Sequence, residues 1–197
     1  MITLYHFEIS GNCHKIRLML SLLGLDYKSV ILKVGEHKSP SFLRLNPLGQ
    51  VPVLVDEDVL IRDSHAILVY LARQYGGETW LPNDAKSMSQ VMQWLSTAAN
   101  DVRQSFEPAR WYYLFNRSQV DVAAAQTKAY ALLDVIDAHL TERQWLELDR
   151  PTIADIACFP YIGLAADGQI SLDNYPHVIS WINCTKQLSG YVSMPGL

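Results

Sequence analysis

The strand-like pattern in this chain is confined to its first third, and that confinement limits the possible folds more than any other feature. Ile2 to His6 reads as a strand and Tyr27 to Leu32 as a second β-rich run. Val53-Leu54-Val55 and Val59-Leu60-Ile61 form a hairpin turned by Asp56-Glu57-Asp58. Helical patterns lie between these runs. From Asn12 onward Ile16, Met19, Leu20 and Leu23 repeat at i, i+3, i+4 and i+7, with His14, Lys15, Arg17 and Ser21 expected away from that apolar face. Gly24 stops this helix. Ser39-Pro40 to Leu45 reads as a short helical turn ended by Asn46-Pro47. Asp63-Ser64 offers caps to a helix with Ile67, Tyr70, Leu71 and Gln74 on one line, which Gly76-Gly77 ends. The order is βαβ, then αββα.

Past Trp80-Leu81-Pro82-Asn83-Asp84 the β signal disappears. Residues 85–107 and 118–140 read as long helices, with the aromatic stretch Trp111-Tyr112-Tyr113-Leu114-Phe115 between or inside them. Pro151-Thr152-Ile153-Ala154-Asp155 has the form of a capping box, with Thr at N-cap and Asp at N3, and Pro176 to Leu188 reads as a last helix. A mixed four-stranded sheet with one antiparallel hairpin is the thioredoxin arrangement. The expected fold is therefore α/β plus all-α: a thioredoxin-like domain over residues 1–77 and an α-helical domain over residues 85–197.

Composition narrows the function. The chain has 197 residues, 49% of them apolar, with 20 acidic against 16 basic side chains and a net charge of −4, which is ordinary for a soluble globular protein. Mild acidity without a lysine- and arginine-rich run argues against a nucleic-acid binder. No apolar stretch reaches the ~20 residues needed to cross a bilayer. The β pattern begins at once after Met1, leaving no basic region of a signal sequence. Cys13, Cys158 and Cys184 are odd in number and far apart, which points to reduced thiols and a cytoplasmic setting. No Cys/His cluster has zinc-ligand spacing, so no metal is expected.

Three segments carry candidate chemistry. Ser10-Gly11-Asn12-Cys13 has the S-x-x-C shape of a redox C-x-x-C whose nucleophilic cysteine is a serine. A hydroxyl cannot lead thiol–disulfide exchange. It can donate to a thiolate brought by another molecule, aided by the N–H groups that begin the following helix. Ser10 or Asn12 serves equally as a plain N-cap. Val51-Pro52 follows the tight Pro47-Leu48-Gly49-Gln50 bend just before a strand, where a cis bond leaves the preceding backbone free to pair with a bound peptide; an ordinary trans edge proline is the alternative. Asp63-Ser64-His65 combines a hydroxyl, helix N-terminal N–H groups and a carboxylate, suited to an α-amino acid head group or simply to capping.

Together these segments suit a peptide with a free amino-acid head, a backbone and a thiol, a description that glutathione meets. Leu45-Asn46-Pro47-Leu48-Gly49-Gln50-Val51-Pro52-Val53-Leu54 resembles the cis-proline segment of the cytosolic glutathione transferase superfamily. Arg62-Asp63-Ser64-His65-Ala66-Ile67 resembles its γ-glutamyl motif, and Pro151 to Ala157 its C-domain capping box. Ser10-Gly11-Asn12-Cys13-His14-Lys15-Ile16 is similar to the serine-type theta and delta pattern and to the nu-class Thr-Pro-Asn-Gly-His-Lys-Ile. Gly35-Glu36-His37 is similar to a delta-class stretch whose histidine contacts the glycyl carboxylate. The resemblance implies Ser10 and Asn12 as thiol-activating residues and His37 at the glycine end. It implies Gln50 and Val51 along the backbone, and Asp63 and Ser64, with His65 beside them, at the γ-glutamyl head. It also implies a homodimer with glutathione as co-substrate, a small hydrophobic electrophile as acceptor, and a role in detoxification.

Tyr5 lies within the first strand rather than in the loop after it, which sets it apart from the catalytic tyrosine of other classes. Cys13 falls inside a helix start, where a cysteine is more often inert than nucleophilic. Asn100, Arg103, Phe106, Arg110 and Trp111 are candidates for the acceptor pocket or for core. Transferase activity is the primary reading. Glutathione-dependent disulfide reduction or peroxidase chemistry, and a non-enzymatic ligand- or protein-binding module, are the alternatives.

Overall fold

The computed structural model describes residues 1–197. Strands β1 (Ile2–His6), β2 (Tyr27–Ile31), β3 (Val53–Asp56) and β4 (Val59–Arg62) form one sheet in the order β2-β1-β3-β4. β1 pairs parallel with β2 and antiparallel with β3, which pairs antiparallel with β4. The parallel pair is joined by α1 (Gly11–Leu22), the crossover that a parallel connection requires. A single helical turn, α2 (Pro40–Leu43), precedes β3, and α3 (Ser64–Leu71) follows β4. This is the expected thioredoxin-like sheet.

The rest is helical. A short α4 (Gly77–Trp80) leads to α5 (Ala85–Thr97), and a π-helical turn at Ala98–Val102 joins α5 directly to α6 (Arg103–Phe115). α7 (Val122–Leu140), α8 (Ile153–Gly163) and α9 (Pro176–Lys186) complete the chain. The helix expected to stop near residue 107 runs on to Phe115, so the aromatic stretch is helical rather than linking. Asn116, in the left-handed region at φ +50°, ends it, and the next helix begins at Val122 rather than 118. The capping box forms as read: Ala154 N donates to Thr152 Oγ1 at 3.2 Å and Thr152 N donates to Asp155 Oδ2 at 2.8 Å.

One correction concerns α1. His14 and Lys15, expected on a polar face, are buried along with Ile16, Leu18, Met19 and Leu20. The helix is covered twice over. It lies against α3 in its own unit and against α8 of the helical unit, so apolar residues of α1 and α8 belong to one continuous core. Amphipathic spacing foresees a single buried face, and here a second layer covers the other.

Candidate functional site

Both units contribute to one cleft of about 720 Å³. Its first wall is built from three short segments, each held by hydrogen bonds. The β1–α1 loop presents Ser10, whose Oγ accepts from Cys13 N at 3.3 Å as the N-cap of α1. That bond uses a lone pair and leaves the hydroxyl proton available to a ligand. Arginines from two directions brace the loop. Arg17 donates to the carbonyls of Phe7 at 3.1 Å and Glu8 at 2.8 Å, and Arg110, from α6, donates to that of Ile9 at 2.9 Å. Arg110 is itself fixed, because its Nε donates to Asp167 Oδ2 at 2.8 Å.

The second segment is the bend before β3. Asn46 Nδ2 donates to Gln50 O at 2.8 Å and Lys38 Nζ to Gly49 O at 3.0 Å. Gly49 has φ +56°, and a Cβ there would stand 2.8 Å from His37 O, so the position requires glycine on both counts. Val51-Pro52 is cis. The Val51 backbone N–H and C=O lie outside the strand ladders and have no partner elsewhere in the chain. His37 completes this side, its ring edge-on to Phe7 at 5.2 Å and its Nδ1 buried without a partner. Burial, then the charge of Lys38, holds its pKa below the ordinary histidine value.

The third segment is the start of α3. Asp63 caps the helix with a positive φ, +78°, unusual for a residue other than glycine. Its Oδ1 accepts from His65 N at 2.9 Å and Ala66 N at 3.1 Å, leaving Oδ2 open to the cleft mouth. Ser64 Oγ donates to Asn12 Oδ1 at 3.4 Å and so ties the α3 start to the α1 start. His65 turns the other way. Its Nε2 accepts from Lys15 Nζ at 3.1 Å, and burial, followed by the Lys15 charge, pushes its pKa down to about 3, so the imidazole is neutral at pH 7. Lys15, buried in turn, is depressed to about 8 chiefly by desolvation, and its ammonium lies 5.6 Å from the Tyr161 ring centre.

The opposite wall comes from α6 and α8. Arg103, Glu107, Trp111 and Phe115 follow one another along α6 at four-residue spacing, and Tyr161 reaches across from α8 to donate to Glu107 Oε1 at 2.7 Å. The π-helical turn at the head of α6 brings Ala98 and Ala99 to the rim, a placement typical of such bulges.

Ser10, Asn12, His37, Gln50, Val51, Asp63, Ser64 and His65 all border this cleft, as do Arg103, Arg110 and Trp111. Phe106 is core, and Asn100 lines a neighbouring recess instead. Tyr5 faces Phe42 and does not border the cleft. Cys13 is fully buried with its thiol pushed up to about 11 by desolvation, the environment of an inert cysteine. Sequence reading passed over Glu107, Tyr161 and Lys38. No motif announces them: the α6 spacing and the contact between α8 and α1 bring Glu107 and Tyr161 to the cleft, and the bond of Lys38 Nζ to Gly49 O brings Lys38.

Residues 4–79 match the family model of the glutathione S-transferase N-terminal domain and residues 88–185 that of the C-terminal domain. Over 192 residues the chain is 32% identical to "Glutathione S-transferase 3" of Zea mays, covering 91% of this chain and 86% of that one. It is 30% identical over 200 residues to "Disulfide-bond oxidoreductase YfcG" of Escherichia coli strain K12, covering 92% and 88% respectively. A crystal structure of a glutathione S-transferase from Xanthobacter autotrophicus Py2 superposes with a TM-score of 0.92 at 32% identity, over 100% of this chain and 98% of that one.

Proposed function

The chain belongs to the glutathione S-transferase family and is a glutathione transferase, and from that premise we propose that its thioredoxin-like unit, residues 1–77, binds glutathione and activates the thiol for attack on a hydrophobic electrophile held by residues 85–197. The observation that carries this reading is the convergence of Ser10 and Asn12 with the unpaired backbone of Val51 and the Asp63-Ser64 start of α3 on one cleft. A γ-glutamyl carboxylate fits the Ser64 N–H, the one amide in the first turn of α3 that Asp63 does not engage, together with the Ser64 hydroxyl turned from Asn12, and its ammonium fits the free Oδ2 of Asp63. The Val51 N–H and C=O suit the cysteinyl backbone, next to Gln50. His37 and Lys38 stand where a glycyl carboxylate would end.

A free thiol near pKa 8.5 is only a few per cent ionised at pH 7, and lowering it by about two units requires on the order of 3 kcal/mol. One hydroxyl donor to a thiolate contributes about 1.5–3 kcal/mol. Ser10 therefore supplies a large share, and the α1 amides and Asn12 the remainder. The thiolate then forms a carbon–sulfur bond as the leaving group departs with its electron pair. No metal enters this scheme. Exposed Leu60, Tyr75 and Met92 on the sheet edge and helices support the homodimer reading, and a cytoplasmic site of action accords with the free cysteines. No helix is long and apolar enough to cross a membrane.

Glutathione-dependent disulfide reduction is the second reading, favoured by the Escherichia coli oxidoreductase relative and by Asn12 at the mouth of α1. There the thiolate attacks a mixed disulfide, expels a thiol and leaves glutathione disulfide. Binding to immobilised glutathione, followed by parallel assays with an aryl halide and a mixed disulfide, separates the two. Turnover of the aryl halide is expected; turnover of the disulfide alone transfers the assignment to the second reading, and failure to bind glutathione overturns both.

A further inference from the structure

Beside the main cleft lies a second recess of about 550 Å³, lined by Asn100, Arg103, Gln104, Glu107, Trp111 and Lys128 among others. Arg103, Glu107 and Trp111 border both spaces, so the recess opens off the acceptor side of the cleft and not off the glutathione side. Its charge balance is positive on a chain whose net charge is −4. Glu107 is the acidic group in the lining, and both of its oxygens are engaged: Oε1 by the Tyr161 hydroxyl at 2.7 Å, Oε2 by Arg103 at 3.6 Å. The Arg103 side chain is nevertheless 62% exposed, and Lys128 has no ion-pair partner. Asn100 and Gln104 add amide groups. On the cleft side the aromatic groups are Trp111, 37% exposed, and Phe115, with the Arg117 guanidinium 5.6 Å from the Trp111 ring centre as a further cation facing the acceptor.

We propose that the preferred acceptor is an aromatic electrophile bearing a carboxylate, its ring against Trp111 and Phe115 in the cleft and its carboxylate in the recess between Arg103 and Lys128. This rests on the transferase reading above and adds the class of acceptor to it. Aromatic groups in the cleft and two cations lining the adjoining recess select for both parts of such a molecule. A neutral aromatic would leave Arg103 and Lys128 solvated and gain nothing from them. With an aryl chloride the step is a substitution. The thiol proton passes to solvent, a carbon–sulfur bond forms at the ring carbon bearing chlorine, and chloride leaves with the bonding pair.

The test compares 4-chloro-3,5-dinitrobenzoate with its neutral counterpart 4-chloro-3,5-dinitrobenzamide, each rate corrected for the uncatalysed reaction with glutathione. The benzoate is expected to show the higher kcat/KM, and raising the salt should erode its advantage. Lys128→Gln should cut the benzoate-to-benzamide ratio about 5-fold, the scale of a lost exposed charge pair, and Lys128→Arg should restore it. A wild-type ratio of one or less, or a ratio that Lys128→Gln leaves unmoved, overturns the proposal. Equilibrium binding of the two preformed glutathione conjugates supplies the same comparison without turnover. Selective, Lys128-dependent binding of the carboxylate conjugate by a protein that turns over neither acceptor upholds the recess and rejects the transferase reading. Equal binding of the two conjugates rejects the recess.

Discussion

The two walls of the cleft are made in opposite ways. The thioredoxin-like wall uses backbone groups and short side chains from segments of three to six residues, each self-consistent: a serine cap, a glycine bend, an aspartate cap. The helical wall uses long side chains spaced along α6 with one partner from α8, and few of its groups are fixed by local bonds. The first arrangement suits an invariant ligand, because backbone donors and caps cannot be retuned one residue at a time. The second suits a changeable one, since a substitution at Trp111 or Phe115 alters shape without touching a cap. Glutathione affinity should therefore reside in the first wall and acceptor preference in the second.

The strongest challenge to that division is acid. His14 and His65, both under the thioredoxin-like wall, are depressed to about 3 by burial first and neighbouring cations second, and both ring nitrogens of His14 lack partners. The unfolded chain protonates them near pH 6.5 while the folded chain does not. Their contribution to stability is present above pH 6.5 and declines by about 1.4 kcal/mol per pH unit per histidine as the pH falls toward 3. By pH 5 the pair should cost on the order of 4 kcal/mol, and a His14→Phe variant should show a shallower decline in denaturant midpoint between pH 6.5 and 5. Parallel curves for variant and wild type would show that His14 protonates freely in the fold.

Ser10→Ala comes next. Losing a donor to the thiolate should lower kcat by about 10- to 150-fold, with the glutathione dissociation constant little changed because the head-group contacts remain. Asn12→Ala measured in parallel assigns the donor: the variant with the greater loss has lost the principal one. Cys13→Ala should be nearly silent, and a collapse of activity there would make the buried cysteine the working group.

At the head-group seat, Asp63 has two functions that one substitution confuses. Asp63→Ala removes both the cap of α3, about 1 kcal/mol of stability, and the ammonium partner, about 1–3 kcal/mol of binding. Asp63→Asn keeps a capping oxygen and tolerates the positive φ. It should weaken glutathione binding about 5- to 150-fold while leaving the melting temperature of the free protein almost unchanged, and turnover at saturating glutathione should persist. Excess glutathione should also raise the wild-type melting temperature more than that of the variant. Equal shifts would reduce residue 63 to a cap.

The smallest expected effect belongs to the second wall. Phe115→Ala should change kcat/KM among aryl acceptors by only about 2- to 5-fold, in directions that depend on the acceptor, with the glutathione dissociation constant within experimental error of wild type. A substantial loss of glutathione affinity from that variant would break the division between the walls.

The sequence by itself determined the local pieces. The individual strands, the β3–β4 hairpin, the Thr152–Asp155 capping box and the Ser10 and Asp63 caps all follow from patterns within ten residues, where period, proline, glycine and capping chemistry act without help from elsewhere. On the first wall Ser10, Asn12, Val51 and Asp63-Ser64 were legible in the same way, His37, Gln50 and His65 only through the family resemblance, and Lys38 not at all. Tertiary structure decided the rest. Spacing within α1 places His14 and Lys15 away from its apolar face, yet both are buried, and it is the docking of α8 that sets the Tyr161 ring over Lys15, which also bonds His65. Spacing reads as a helix over residues 85–107 and another over 118–140, with the aromatic stretch between or inside them. The π-helical turn at Ala98–Val102 makes residues 85–115 one long run and carries Trp111 and Phe115 to the cleft. Glu107 with Tyr161, and Arg110 with Ile9, are pairs separated by 54 and 101 positions in the chain. Nothing local to either partner specifies such a meeting, because its stability comes from the burial and hydrogen bonding that the two units achieve only once packed together.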